Sequence, residues 1–176
     1  MAASRREQIL ALLRQARGPV TGSELARRLG VSRQVIVQDI ALLRAAGEDV
    51  LATPQGYRLG PGAPARPYRT VIAVRHSPAQ TGDELYTLVE AGVRVLDVVV
   101  EHPIYGELRG LLLLDTPDDV TAFLERVADS GAALLSSLTG GVHLHTLEAS
   151  HPDAIETARA RLREKGYLLE GSPGAP

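Results

Sequence analysis

The chain has 176 residues, 44% of them apolar and 23% charged, with a formal charge of −2; that is an ordinary balance for a globular protein with one or two small cores. It contains no cysteine, which excludes a disulfide framework and any thiolate metal site and fits a reducing compartment. No apolar run approaches the length of a membrane-spanning helix, and the first residues do not read as a secretory signal, so a cytoplasmic location with no membrane partner is expected.

Charge is unevenly spread. Residues 1–60 carry nine Arg and five acids, whereas residues 61–176 carry ten basic and sixteen acidic residues. A basic front and an acidic back point to two jobs. Gly60-Pro61-Gly62-Ala63-Pro64-Ala65-Arg66-Pro67 cannot sustain a helix or a central strand. It predicts a linker over 61–67, between a domain at 1–60 and another at 68–170.

In the front half, Arg5 to Ala16 shows helical periodicity, with Ile9, Leu10, Leu12 and Leu13 as its apolar stripe. Gly18-Pro19 ends it. Thr21-Gly22-Ser23-Glu24 reads as a capping box opening a short helix through Leu29. Gly30-Val31 is a tight turn, and Ser32 caps a third helix from Arg33 to Ala46. Val50-Leu51-Ala52 and Tyr57-Arg58-Leu59 flank a turn and predict a β-hairpin. Helix, short helix, turn, helix, hairpin is the layout of a winged helix-turn-helix. Ser32, Arg33, Gln34 and Gln38 start the third helix, where Arg and Gln can read guanine and adenine edges in double-stranded DNA. Arg58 on the hairpin, with Arg5, Arg6, Arg27 and Arg28, is a candidate phosphate contact. One copy would bury little DNA surface, so specific binding implies a homodimer on a two-fold operator.

In the back half, Thr70 to Val74 predicts a strand ending at His76-Ser77-Pro78. Thr81-Gly82-Asp83-Glu84 reads as a capping box opening a helix through Glu90. Arg94–Glu101 and Leu108–Leu114 predict two strands around a turn at His102–Glu107. Thr116 caps a helix to about Ser130, and Ala132–Leu135 reads as a short strand. Val142–Leu147 is a strand, Pro152–Lys165 a helix and Tyr167–Leu169 a last strand. The class expected is α+β: a winged helix-turn-helix followed by an α+β sandwich on a largely antiparallel sheet.

The strand after Gly140-Gly141 carries His143 and His145. Alternate strand residues share a face, roughly 6.6 Å apart along the chain, which suits two imidazoles converging on one metal ion. His76, Glu84 and His102 are the residues able to complete the set. Imidazole and carboxylate ligands suit nickel, zinc, iron or cobalt as divalent ions. Plainer readings stand beside this one. Glu84 has a capping role available, His76 can be a loop histidine, and two histidines at i, i+2 can be a polar sheet face.

Three stretches then carry a resemblance. They are Arg75-His76-Ser77-Pro78-Ala79-Gln80-Thr81-Gly82-Asp83-Glu84-Leu85-Tyr86, Asp97-Val98-Val99-Val100-Glu101-His102-Pro103-Ile104-Tyr105-Gly106, and Leu138-Thr139-Gly140-Gly141-Val142-His143-Leu144-His145-Thr146. Together they resemble the three-histidine (3H) domain, and the front half resembles the helix-turn-helix that precedes it in niacin-responsive transcriptional repressors of bacterial NAD metabolism. The resemblance covers nearly the whole chain. It implies a homodimeric cytoplasmic repressor, not an enzyme, that senses nicotinic acid. It also implies one divalent transition metal per chain, nickel or zinc, held by His76, Glu84, His143 and His145.

Nicotinate offers a carboxylate and a pyridine nitrogen. Either can take an open metal position while a donor holds the other end. Arg75, His102, Tyr105 and the Thr139-Gly140-Gly141 amides are the candidates for that ligand-binding role, the amides as an anion nest. Two rival readings are a metal-responsive repressor without niacin sensing and a metal-dependent hydrolase with Glu101 or Glu107 as base. A biotin-ligase-type repressor shares the winged-helix front, but its Gly/Arg-rich adenylate-binding loop has no counterpart here.

Overall fold

The structure, a computed structural model, describes residues 4–60 and 66–170. The chain divides into two compact units, with the break between Pro64 and Ala65. Of the linker expected over 61–67, residues 61–65 lie outside the described residues.

The front unit contains α1 (Arg5–Gln15), α2 (Gly22–Leu29), α3 (Arg33–Ala45), β1 (Val50–Thr53) and β2 (Gly56–Leu59). Ser4 and Glu7 form a reciprocal capping box at the start of α1. Thr21 Oγ1 accepts from Glu24 N at 3.1 Å. The Glu24 carboxylate turns instead to Arg27 and Arg28, so the box expected there is only half made. Gly30 closes α2 in the left-handed conformation, and Ser32 caps α3. Ile9, Leu10, Leu13, Leu25, Ile36, Ile40, Leu43 and Val50 form the core. β1 pairs antiparallel with β2, and Val20 bridges Tyr57. This tie requires glycine at position 56. Its φ is +127°, and a Cβ there would lie 2.5 Å from the Val20 carbonyl oxygen.

The back unit contains β3 (Tyr68–Arg75), α4 (Thr81–Glu90), β4 (Arg94–His102), β5 (Gly106–Leu114), α5 (Pro117–Ser130), β6 (Val142–Ala149), α6 (Pro152–Glu164) and β7 (Leu168–Leu169). Its sheet has the order β5-β4-β6-β3-β7, and every pairing is antiparallel. Leu85 and Leu88 of α4, Val120 of α5 and Ile155 and Leu162 of α6 pack with Ile72, Val74, Val95, Leu114 and Leu147 of the sheet. Ile72 pairs with His145 and Val74 with His143. Directly paired residues share a face, so both histidines point into the layer between sheet and helices.

The strand expected over Ala132–Leu135 does not form. Leu135–Thr139 is a 3-10 turn instead. The Leu134 carbonyl accepts from both the Ser137 N–H at 3.1 Å and the Ser137 hydroxyl at 2.6 Å. Those bonds close a turn and leave that carbonyl no role in a ladder.

Candidate metal centre

Three imidazoles converge on one carboxylate. His76 follows β3, Glu84 lies in the first turn of α4, and His143 and His145 alternate on β6. All four are buried, Glu84 completely. His76 Nε2 lies 2.5 Å and His143 Nε2 3.4 Å from Glu84 Oε2, while His145 Nε2 lies 3.2 Å from Oε1. Ligand atoms of His76, Glu84 and His143 all lie within 4.8 Å of one another. His145 joins through the other carboxylate oxygen.

Each ring is aimed by its far nitrogen. His76 Nδ1 donates to the Ser77 carbonyl at 2.8 Å, His143 Nδ1 to Gly141 at 2.9 Å and His145 Nδ1 to Asp97 at 2.6 Å. A carbonyl can only accept, so each Nδ1 carries the proton and each neutral ring presents a bare Nε2 lone pair. Bare lone pairs facing a carboxylate repel it. Stability requires protons or a cation among them. Burial alone pushes His76 and His145 down, but the hydrogen bond and charge of Glu84 outweigh it and both end above the ordinary histidine value. Burial alone pushes Glu84 up; the charge of His145, and the protons the surrounding imidazoles present when charged, outweigh it and hold the carboxyl well below its usual range. Glu84 Oε1 and His145 Nε2 face each other at 3.2 Å in an alignment that makes no hydrogen bond, and both are buried without a partner among the described residues. Three imidazole nitrogens, a carboxylate and two orphaned buried atoms fit a divalent transition ion.

The capping role expected of Glu84 falls elsewhere. Ser77 and Gln80 make the box, on the 3-10 turn Pro78–Gln80 that precedes α4. Gln80 is the residue before the first turn of α4. Glu84 is thereby free for the histidines.

Three supporting residues were not read from the sequence. Asp97 is buried at the irregularity in β4 between Val95 and Val99. Its carbonyl holds His145, its Oδ1 accepts from Thr146 N at 2.9 Å, and its Oδ2 takes Arg109 at 2.7 Å. Gly141, at φ +93°, starts β6 so close to His76 that a Cβ would lie 2.3 Å from the His76 carbonyl oxygen. Tyr167 stacks beside His76 at 5.3 Å and donates to Asp83 Oδ2 at 2.7 Å. An acid within a strand and a glycine before one are weak signals in one dimension; their contacts are long-range.

A cavity of about 30 Å³ opens beside the cluster, room for only a few water molecules. Glu84, His143 and His145 line one side with Thr81 and Ser136; Leu85, Val98, Leu112, Phe123, Leu134 and Leu135 line the other. The residues expected to bind ligand sit elsewhere. Arg75 is exposed at the end of β3. His102 Nδ1 accepts from Ile104 N and Tyr105 N at 3.2 and 3.3 Å, bracing the β4–β5 turn, and Tyr105 is exposed. The Thr139 hydroxyl donates to the Val142 carbonyl and lies 3.3 Å from the Ser136 carbonyl. The Gly140 and Gly141 amides donate to that same carbonyl, so they are committed within the turn.

On the front unit, Ser32, Arg33, Gln34 and Gln38 form the exposed start of α3. The Arg33 side chain and the Tyr57 ring both lie beside Gly22. Arg58 lines a groove of about 360 Å³ with Arg14 and Arg17. Arg5 is paired with the buried Asp39, and Arg27 and Arg28 with Glu24. Those three are held by carboxylates, unlike the free phosphate contacts expected of them.

Comparison with known proteins follows the same division. Residues 69–171 match the 3H domain and residues 5–58 an HTH domain. The chain is 42% identical over 166 residues to a probable transcription repressor, NiaR, of Thermotoga maritima, covering 94% of each chain. It is 43% identical over 172 residues to the transcription repressor NadR of Bacillus subtilis, covering 97% of this chain and 96% of that one.

Proposed function

This chain belongs to the family of 3H-domain proteins that carry an N-terminal helix-turn-helix, and from that premise we propose that it is a DNA-binding transcription repressor whose back half binds a divalent metal and senses nicotinic acid. The names of its two relatives support the repressor role. One observation carries the sensory part: three imidazoles fixed through Nδ1 aim bare Nε2 atoms at one buried carboxylate, beside a cavity that is apolar on its far side.

His76, Glu84, His143 and His145 would hold the ion, nickel or zinc. When bound, it supplies a Lewis-acidic position for the carboxylate or pyridine nitrogen of nicotinic acid. Phe123, Leu134 and Leu135 exclude water and bracket a flat ring. Among the described residues, Glu84 is the only carboxylate lining the cavity, so a hydrolase reading has no second carboxylate there to act as general base. No helix of the described residues is long and apolar enough to cross a membrane. The start of α3 reads base edges, and two copies bind a two-fold operator. Nicotinic acid tightens DNA binding only because it prefers the DNA-competent arrangement; equal affinity for both arrangements would shift nothing.

The test selects duplexes from a random pool with metal-loaded full-length protein. The selected duplexes are then titrated by fluorescence anisotropy with and without nicotinic acid. Affinity should rise with nicotinic acid in metal-loaded protein alone. Binding that follows the metal and ignores nicotinic acid replaces niacin sensing with metal sensing. A pool that never enriches removes the DNA-binding role.

A further inference from the structure

Three buried polar atoms line the cavity without a hydrogen-bond partner among the described residues: Glu84 Oε1, His145 Nε2 and Thr81 Oγ1. Metal binding accounts for the first two. It leaves Thr81 unexplained, although that residue is only 9% exposed. Thr81 and Glu84 are three residues apart on α4 and so share its inner face.

A helical threonine ordinarily bonds back to the carbonyl four residues earlier. Thr87 does so to Asp83 at 2.6 Å, and Thr121 to Pro117 at 3.1 Å. For Thr81 that carbonyl is Ser77, which already accepts from His76 Nδ1 at 2.8 Å and Gln80 N at 3.0 Å. Both of its lone pairs are taken. The hydrogen bond that aims His76 at the metal site therefore also leaves the Thr81 hydroxyl without its usual acceptor, on a residue that lines the cavity. Capping gives it no alternative, because Ser77 and Gln80 make the box.

We infer that the Thr81 hydroxyl is the hydrogen-bond donor that recognises the carboxylate of the effector. On the sensory reading above, the ligand is a small planar aromatic acid, and the lining gives its ring Val98, Leu112, Phe123 and Leu135 and its acid end Thr81. The inference rests on the sensory reading above and adds the residue that distinguishes an acid from an isosteric apolar ring.

The test is calorimetric titration of full-length, metal-loaded protein with nicotinic acid and with its methyl analogue, in which CH₃ replaces the carboxylate. Thr81→Val keeps the shape and removes the donor. It should weaken nicotinic acid by about tenfold or more, leave the methyl analogue unchanged and leave metal content at its wild-type value. Thr81→Ser should keep wild-type affinity. In ligand-free protein, Thr81→Val should melt no lower than wild type, since an orphaned hydroxyl is removed. Unchanged nicotinic acid affinity in Thr81→Val, with wild type binding normally, overturns the role of Thr81 and leaves the sensory reading standing. Loss of metal in Thr81→Val also overturns it, by making the hydroxyl a support of the ion. Failure of wild type itself to bind nicotinic acid sinks the sensory reading, and this inference with it.

Discussion

Glu84 is the residue on which the back unit turns, because it is both the acid the histidines face and the buried charge they must neutralise. Without metal, that neutralisation falls to protons. His76 and His145 are raised above their ordinary value of 6.5. Their contribution to stability is therefore complete below that value and lost as pH rises through the folded values. Glu84 is lowered below its ordinary 4.5, so its contribution is present above that value and lost only in acid. Metal-stripped protein should melt highest between those two ordinary values and lose melting temperature as pH rises above the upper one. Metal-loaded protein should show the reverse trend, because protons compete with the ion for Nε2. Thermal melts of both forms across pH check this; a stripped protein that gains stability above that upper value contradicts it. At Gly141 the constraint is steric. Gly141→Ala combines a positive φ with a contact against the His76 carbonyl. It should cost about 1–3 kcal/mol in denaturant unfolding and weaken zinc binding in a competitive chelator titration.

At the scale of elements, the irregularity in β4 is what delivers the Asp97 carbonyl to His145 and the Asp97 carboxylate to Thr146. Asp97→Ala keeps the carbonyl but leaves a buried N–H without a partner. The expected loss is about 1–3 kcal/mol of stability and about 10–100-fold in metal affinity; unchanged affinity by chelator competition would show that the carbonyl alone suffices. Asp97 also marks the limit of what the sequence makes legible. The alternation of His143 and His145 is local and fixes their shared face. The apolar stripes fix nearly all helices and the antiparallel pattern. Whether Glu84 caps α4 or faces the histidines is not local, because it depends on Ser77 and Gln80 forming a 3-10 turn first. The Ala132–Leu135 stretch misleads for a related reason: its two leucines line a cavity at the start of a turn and belong to no sheet. Arg75, His102 and Tyr105 stand near the histidines in motif order, yet their side chains lie outside that cavity lining.

At the scale of the whole molecule, the charge asymmetry divides the work. Of the nine arginines in residues 1–60, only Arg5, Arg27 and Arg28 have carboxylate partners among the described residues. Arg6, Arg14, Arg17, Arg44 and Arg58 remain for phosphates, and Arg33 for base edges. The proposed dimer should appear by light scattering, and its DNA affinity should fall steeply with salt. Each arginine removed from a phosphate should reduce the log–log slope by about 0.9 per chain, hence about 2 per dimer. Arg14→Ala and Arg58→Ala titrated over a salt series check this, and slopes equal to wild type would remove both from phosphate contact. The cavity beside the metal centre has a consequence in time. At about 30 Å³ it cannot admit a heteroaromatic ring until Phe123, Leu134 and Leu135 move apart. Ligand entry then waits on a motion, of order microseconds to milliseconds, and not on diffusion. Relaxation rates after a temperature jump, which resolves that range, should therefore level off with rising nicotinic acid; a strictly linear rise would mean the door stands open. The same opening must precede release, so a site that takes nicotinic acid as proposed would let it go no faster than those three side chains part.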